Sequence, residues 1–536
     1  MVVRYLLRAI HEPVLVTLLV VVAAASRSHA QLYREIPGKH EFTGEMLVRP
    51  LQIEDWMQRG FTEEESRERH RQTAEWLVAF LDDRLLNHHA RADRYRFRLR
   101  EFETENVMGA FLLEQGTFRY VCPNWRLYPQ SIDCTNDPYL DTQWHHKVME
   151  SCAGWQIHTN GDDDVVLTFV DFGLRRSHLD LSTLSQYRRL AYDAENQLWE
   201  SDPNAILFDG INHGTPVNGC GAATGNNSIG VSGVGWTLRH RMIKTSGTVS
   251  EFFDAMWVTA DVGDRVFSVQ YAPDVSQDLW DDESKALVDA YDVVICVSAG
   301  NDPSLTDYRD YTYIIVVGGT ELNNGVEEVW YDDANWGSQT GDMIDVMAPA
   351  KSVYSCSNAN NDAYKYSTGT SFAAPLAAGL AALIWSYDPT LSGTQVRDLI
   401  FQGCVEFSGW NEDEHGHGSI NVFNSLALAS GELWTREPYP GTAGTTNGFK
   451  AAGGTPTATV TFYYGTATGS TSVTGCTGLN VDIDSAQVLG TATVGANGAA
   501  KYFTTVPSGW SNTTIYLQCV EIANCRKSNR VEYTFP

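Results

Sequence analysis

Apolar residues are spaced along this chain in three different ways, and each spacing predicts a different architecture. Over 31–128 the pattern is mixed. Alternating positions at 45–49 and 95–99 read as strands. Trp76, Leu77, Phe80, Leu81 and Leu85 fall at helical spacing behind the capping box of Thr62 and Glu65. A second helix covers roughly 105–114, and 118–121 reads as a further strand. The order β-α-β-α-β is that of a small α+β unit. From about 133 to 430 the apolar runs become continuous, at 165–170, 265–269, 293–297 and 314–317, with helical segments between them. Strands apolar on both faces and separated by helices predict a doubly wound α/β fold with a mostly parallel sheet. Past 455 the runs at 458–464 and 513–519 alternate like half-buried strands between Gly, Ser and Asn turns, which predicts an all-β sandwich. The polar stretch before it, 431–455, reads as a linker.

One helix breaks these patterns by having no polar face. Ser367-Thr-Gly-Thr-Ser371-Phe-Ala-Ala-Pro375 runs straight into Leu-Ala-Ala-Gly-Leu-Ala-Ala-Leu-Ile-Trp. Such a helix belongs inside a large core. Pro375 is expected in its first turn, where a missing N–H costs little. Ser371 then stands where a loop enters a buried helix, beside free N–H groups and a positive dipole end. It is either a helix cap or a nucleophile whose transient anion those groups stabilise. The local sequence leaves both open.

Composition narrows compartment and partner. The chain has 536 residues, 43% hydrophobic and 11% aromatic, which suggests two or three globular domains. A net charge of −28 without a basic block argues against nucleic acid or an anionic membrane as partner. Arg4 and Arg8 precede an apolar run at 14–25, and Ser28-His29-Ala30 offers small residues for cleavage before Gln31. That is a secretory leader, 1–30. No later stretch is read as long enough to span a bilayer. The ten cysteines therefore stand in a disulfide-permissive compartment, with their pairing open.

Three short patterns lie where an α/β sheet gathers its working groups, beyond the carboxyl ends of strands. Asp171-Phe-Gly173 ends one apolar run, His213-Gly-Thr215 opens a small-residue segment, and Val297-Ser-Ala-Gly-Asn301 closes another run. Each alone is commonplace. In the order Asp, His, Asn, Ser they resemble the subtilisin-like serine proteases, the subtilases, over roughly 135–430. Asn136-Asp-Pro-Tyr139 with Gln143-Trp144, Asn226-Asn-Ser-Ile-Gly-Val231, Asp345-Val-Met-Ala-Pro349 and Gly416-His-Gly-Ser-Ile-Asn421 extend the resemblance.

That resemblance implies a secreted, self-maturing serine endopeptidase acting on protein and peptide substrates. It assigns Ser371 as nucleophile, His213 as general base and acid, and Asp171 as the group that orients the imidazole. The Asn301 amide and the Ser371 N–H would bind the oxyanion. No cofactor is needed for the chemistry. A structural calcium is expected at Asp137, Asp180, the Asn227 side chain and the carbonyls of Ile229 and Val231, a set of hard oxygen ligands. The implied domains are a leader (1–30), an inhibitory propeptide (31–130), the peptidase domain (131–430), a linker (431–455) and a β-sandwich (456–536). Propeptide cleavage is expected between Arg126 and Asn136, with Cys122 and Cys134 flanking it as a potential disulfide tether.

Three positions depart from the family pattern. Phe172 follows the Asp where Thr or Ser is usual, Pro216 follows His-Gly-Thr where His is usual, and Gln270-Tyr-Ala272 stands for Ser-Leu-Gly or Ser-Trp-Gly. Two other readings compete: a sedolisin-type acid peptidase, against which His213 speaks, and a secreted binding or adhesion protein whose β tail is the working module.

Overall fold

The computed structural model describes residues 33, 40–41, 43–100, 103–124, 126–127, 134–161, 165–181, 191–200, 210–273, 276–305 and 309–536. The expected leader and much of the expected cleavage segment lie outside them. The chain divides into two compact units, Met1–Gln130 and Ser131–Pro536.

In the first unit the main elements run β1 (Glu45–Pro50), α1 (Glu63–Leu81), β2 (Leu85–His89), β3 (Arg94–Arg98), α2 (Glu105–Glu114) and β4 (Phe118–Pro123), with a short helix at Ile53–Gln58 between β1 and α1. The strands form an antiparallel sheet in the order β2-β3-β1-β4. The alternation of β1 buries Met46 and Val48 against Leu77 and Leu81 of α1 and Met108 and Leu112 of α2. The capping box forms as expected: Thr62 accepts from the Glu65 N–H and Glu65 returns the bond to the Thr62 N–H. The pattern β-α-β-α-β missed β2. Leu85 extends the helical spacing of α1 on paper, yet the helix stops at Leu81 and β2 is a polar edge strand exposed along most of its length.

The second unit is built on a nine-stranded sheet. Its strands are β5 (Val166–Asp171), β6 (Ala191–Asp193), β7 (Leu198–Glu200), β8 (Arg239–Lys244), β9 (Val266–Val269), β10 (Val294–Ser298), β11 (Ile315–Asn323), β12 (Val326–Val329) and β13 (Val346–Pro349). The order is β12-β11-β10-β9-β5-β8-β6-β7, with β13 also on β11. All pairs are parallel except β11–β12 and β6–β7. All four continuous apolar runs are strands of this sheet. The sequence pattern missed β8, Arg-His-Arg-Met-Ile-Lys, because its charge is neutralised internally. Buried Arg241 donates to both oxygens of buried Asp264, at 2.7 and 2.8 Å, and the Thr168 hydroxyl adds a third bond at 2.5 Å.

Chain reversal across the sheet uses α3 (Gly214–Ala222), α4 (Val249–Ala260) and α5 (Gln277–Tyr291). The hairpin β14 (Val353–Cys356) and β15 (Tyr364–Ser367) then delivers the chain to α6 (Thr370–Tyr387), followed by α7 (Gly393–Gly403) and α8 (Val422–Ser430). Helix α6 is long and apolar enough to cross a membrane by length and composition, contrary to the sequence expectation. It is instead buried from Thr370 to Ser386 in the largest core cluster. The helix begins at Thr370, so Pro375 is its sixth residue, not part of the first turn, and the Ser371 carbonyl loses the intrahelical donor it would otherwise have there.

The unit closes with β16 (Thr446–Ala452), β17 (Thr459–Gly465), β18 (Gln487–Thr493), β19 (Ala500–Thr505), β20 (Thr514–Glu521) and β21 (Val531–Thr534). They form two antiparallel sheets around Phe449, Phe462, Leu517 and Phe535, with a disulfide between Cys476 and Cys525. Strand β16 lies inside the stretch whose composition reads as linker; its Gly and Thr hid a strand with Phe449 fully buried. The sandwich is pinned to α8 and the segment before β5. Glu150 binds Arg436 at 3.1 Å and buried Lys450, whose ammonium also lies 5.5 Å from the Phe423 ring centre. Burial works against the Glu150 charge, and the two cations overcome it and hold the carboxylate ionised. Cys134 pairs with Cys152, so the tether imagined between Cys122 and Cys134 does not form and Cys122 is a free thiol.

Strand β8 also carries a pH-sensitive group. His240 is buried, and neither ring nitrogen has a hydrogen-bond partner among the described residues. Burial pushes its pKa down to about 3. A depressed histidine folds neutral, so its contribution is fully present above the ordinary value near 6.5 and is lost as pH falls toward 3. His240→Leu should therefore gain on the natural protein by about 3 kcal/mol between pH 7 and pH 4 in urea unfolding. A difference independent of pH would contradict this.

Candidate active site

Register across the sheet brings three strand ends level. Val170, Val269 and Val297 stand side by side in β5, β9 and β10. The residues that follow, Asp171, Gln270 and Ser298, therefore share one edge of the sheet, with Asn301 three residues further on. Asp171 is fully buried. Its carboxylate accepts from the Phe172 N–H at 2.7 Å, and His213 Nδ1 lies 2.8 and 3.0 Å from its two oxygens. That bond assigns the proton to Nδ1 and turns Nε2 away from the carboxylate.

Helix geometry explains why His213 is there. It occupies the cap position of α3. Gly214 is obligatory next to it, because a Cβ would lie 2.0 Å from the Gly173 carbonyl oxygen. Pro216 falls within the first turn of α3, where no N–H is needed, so this departure from the family pattern is structurally neutral. Further along, α3 and α6 meet through glycines: a Cβ on Gly221 would lie 2.8 Å from the Pro375 oxygen, and one on Gly379 2.9 Å from the Gly221 oxygen. Two helix backbones in contact fix the distance between the segments carrying His213 and Ser371.

At the other end of α6, Gly369 is the cap, with φ 146°, so Ser371 is the second helical residue and does not cap the helix. Thr370 holds Asn301 from two sides: its N–H donates to Asn301 Oδ1 at 2.8 Å and its hydroxyl lies 3.0 Å from the same oxygen. The Thr370 hydroxyl also accepts from the Gly300 N–H at 3.1 Å. Those bonds engage the oxygen of the Asn301 amide and leave its two N–H donors to other partners. Neither they nor the Ser371 N–H meet a protein acceptor among the described residues. Phe372 tilts against the His213 ring with centroids 5.5 Å apart. Ser371 thus lies between a residue that holds the Asn301 amide and one that touches the imidazole. Thr370 and Phe372 were not singled out by the sequence, although Thr370 is the middle residue of the Gly-Thr-Ser turn.

A family model for the subtilase family matches residues 162–419. Subtilisin DY from Bacillus licheniformis is 31% identical over 271 residues, 48% of this chain and 89% of that protein. The chain belongs to the subtilase family. A halolysin-like extracellular serine protease, Nep, from Natrialba magadii is 30% identical over 302 residues, 55% of this chain. The match spans about half of that relative, 53%. A thermophilic serine proteinase from Bacillus sp. strain AK1 is 29% identical over 345 residues, 62% of this chain and 79% of that protein. Fervidolysin from Fervidobacterium pennivorans, a solved structure, is 17% identical over 90% of this chain and 72% of that one, with a TM-score of 0.43.

Away from the strand ends, this subtilase brings the expected calcium ligands into one loop cluster. Asp137 accepts from the N–H groups of Asn226 and Asn227, at 2.7 and 3.0 Å, and from the Ser232 hydroxyl. Asp180 accepts from Asn227 Nδ2 at 3.0 Å, the Val231 N–H at 2.9 Å and the Tyr364 hydroxyl at 2.8 Å. Burial raises the Asp180 pKa to about 6, with the nearby Asp137 charge adding to it. Neither carboxylate is bonded to a cationic side chain among the described residues. Two buried carboxylates without a cationic partner among the described residues, in contact with the loop that carries Ile229 and Val231, fit a hard cation in charge and donor type. Asn227 completes that set only with its amide turned over, since its oxygen now accepts from the Ile229 N–H at 2.7 Å.

The close approach at Gly214 is directly testable. Gly214→Ala should lower stability by about 1–3 kcal/mol in chemical unfolding, because backbone and not a flexible side chain must give way. Unchanged stability would show that the approach is looser.

Proposed function

We propose that this subtilase is a secreted serine endopeptidase that removes its own propeptide and hydrolyses peptide bonds through an acyl-enzyme. The observation that carries this reading is the Asn301 amide, held by Thr370 at the start of the buried helix that bears Ser371, where the next residue, Phe372, touches the imidazole of the Asp171–His213 pair. In this mechanism Ser371 Oγ attacks the scissile carbonyl while His213 Nε2 takes its proton. Asp171 holds the imidazole tautomer and stabilises the imidazolium. The oxyanion is received by Asn301 Nδ2 and the Ser371 N–H. The proton then passes from His213 to the leaving amine, and water reverses the sequence to free the acid.

Residues 31–130 serve as the inhibitory propeptide in this reading, and the division of the chain at Gln130/Ser131 supports a cut near that point. A fluorophosphonate probe should label the natural protein and not Ser371→Ala, which should accumulate as uncut precursor. Labelling or normal maturation of that variant would sink the assignment. Thr370→Val keeps one of the two bonds to Asn301, so its kcat should fall about 10-fold. That is less than the roughly 10²–10³ for loss of an oxyanion donor, a magnitude measured on subtilisin. A variant indistinguishable from the natural enzyme would argue against Asn301 in that role.

A structural calcium at Asp137, Asp180, Asn227 and the carbonyls of Ile229 and Val231 belongs to the same proposal. Adding Ca²⁺ to chelator-treated protein should raise Tm by several degrees. No calorimetric binding and no shift would end the idea.

A further inference from the structure

Phe172 stands where the family usually has a small hydroxyl residue, and the structure gives it two simultaneous contacts with the Asp171–His213 pair. Its N–H donates to Asp171 at 2.7 Å. Its ring stands edge-on to the imidazole, with centroids 6.3 Å apart and planes at 77°. Phe372 approaches the same imidazole at 5.5 Å from α6. His213 is therefore flanked by two aromatic rings.

The Phe172 ring sits in a socket built by other strand ends. Tyr271, just past β9, meets it at 5.7 Å and 73°, and is itself stacked on Phe252 of α4 at 5.8 Å and 4°. Gly247, in the loop after β8 with φ +97°, faces both rings: a Cβ there would lie 3.4 Å from Tyr271 and 3.8 Å from Phe172. Edge-on aromatic pairs contribute directional attraction beyond area burial. A ring held this way restricts the rotation of a neighbour that is itself 24% exposed, while Asp171 behind it is fully buried.

We propose that Phe172 is a positioning residue, which holds the His213 imidazole in line with Asp171 and keeps water from one edge of that pair. The inference rests on the serine-peptidase reading and deepens it. Its backbone bond to Asp171 survives any side-chain change, so substitutions isolate what the ring does. Several charged and titratable groups among the described residues face this region. Asp171 is bonded to His213. Lys365 of β15 places its ammonium on the Asn212 carbonyl, 3.2 Å away. Behind Phe172 lie the Tyr271 phenol and the Glu251 carboxylate, which is tied to Thr245 and Ser246. Removing the ring admits water to the imidazole and not to the buried carboxylate. Hydration favours the imidazolium, so the acid limb of the rate profile moves toward neutral pH.

The test uses matured natural enzyme, Phe172→Ala, Phe172→Leu and Phe172→Tyr, with a chromogenic peptide across pH 5–10. Phe172→Ala should lower kcat about 10-fold or more, since small misplacements of a catalytic group cost up to about 100-fold. KM should change little, and the acid limb of kcat/KM should move upward. Phe172→Tyr, which keeps the ring, should restore both. If the alanine variant does not mature, Phe172→Leu carries the same expectation, because it fills volume without a planar edge. An acid limb and kcat unmoved in a folded variant overturn the inference alone. A raised KM with both unmoved makes Phe172 a substrate contact and also overturns it. Failure of the natural enzyme to react with the fluorophosphonate overturns this inference and the serine-peptidase reading together.

Discussion

The contact on which the rest of this subtilase depends is between two helix backbones. Helices α3 and α6 approach so closely at Gly221 and Gly379 that no side chain fits between them. Both run among the buried residues of the same core cluster. Cores packed at crystal density do not deform gradually, so this approach sets the separation between His213, at the start of α3, and Ser371, at the start of α6. The sheet does the complementary task. Its parallel register aligns the ends of β5, β9 and β10, so Asp171 and the segment leading to Asn301 arrive at the same edge.

That frame also explains how the polar groups at the strand ends are held. Asp171 is saturated by the Phe172 N–H and His213, and the Asn301 oxygen by Thr370. In the proposed mechanism each bond engages the part of the group that does not meet the substrate. The Asn301 amide N–H pair and the Ser371 N–H have no protein acceptor among the described residues. In that mechanism such donors need no reorganisation as charge develops on the carbonyl oxygen. The same logic separates the departures from the family pattern. Pro216 occupies a helix position that never needed its N–H, whereas Phe172 adds a ring to the wall of the site.

Much of this was legible in the residues because it rests on local rules. Continuous apolar runs marked strands buried on both faces, and the four in the middle of the chain all joined one sheet. The Thr62–Glu65 capping box formed because both partners lie within one turn. Strand β8 was not legible, because a run with two arginines, a histidine and a lysine carries no apolar pattern, and Asp264, distant in sequence, is what makes Arg241 tolerable inside. Strand β16 was hidden by Gly and Thr, which read as linker until a partner strand pairs with them. At Ser371 the local sequence by itself favoured a helix cap, and only the distant Asp171, His213 and Asn301 pointed to a nucleophile. The backbone decided the first half of that question by making Gly369 the cap. Thr370 escaped notice because its importance lies in a contact with Asn301, far back in the chain.

The central claim is that Asn301 and the start of α6 receive an oxyanion while Ser371 forms the covalent bond. The most direct measurement is a crystal structure of the enzyme inactivated by a fluorophosphonate. The account predicts phosphorus bonded to Ser371 Oγ and a phosphoryl oxygen within about 3 Å of both Asn301 Nδ2 and the Ser371 N–H. An adduct on any other residue, or a phosphoryl oxygen turned away from both donors, would contradict it.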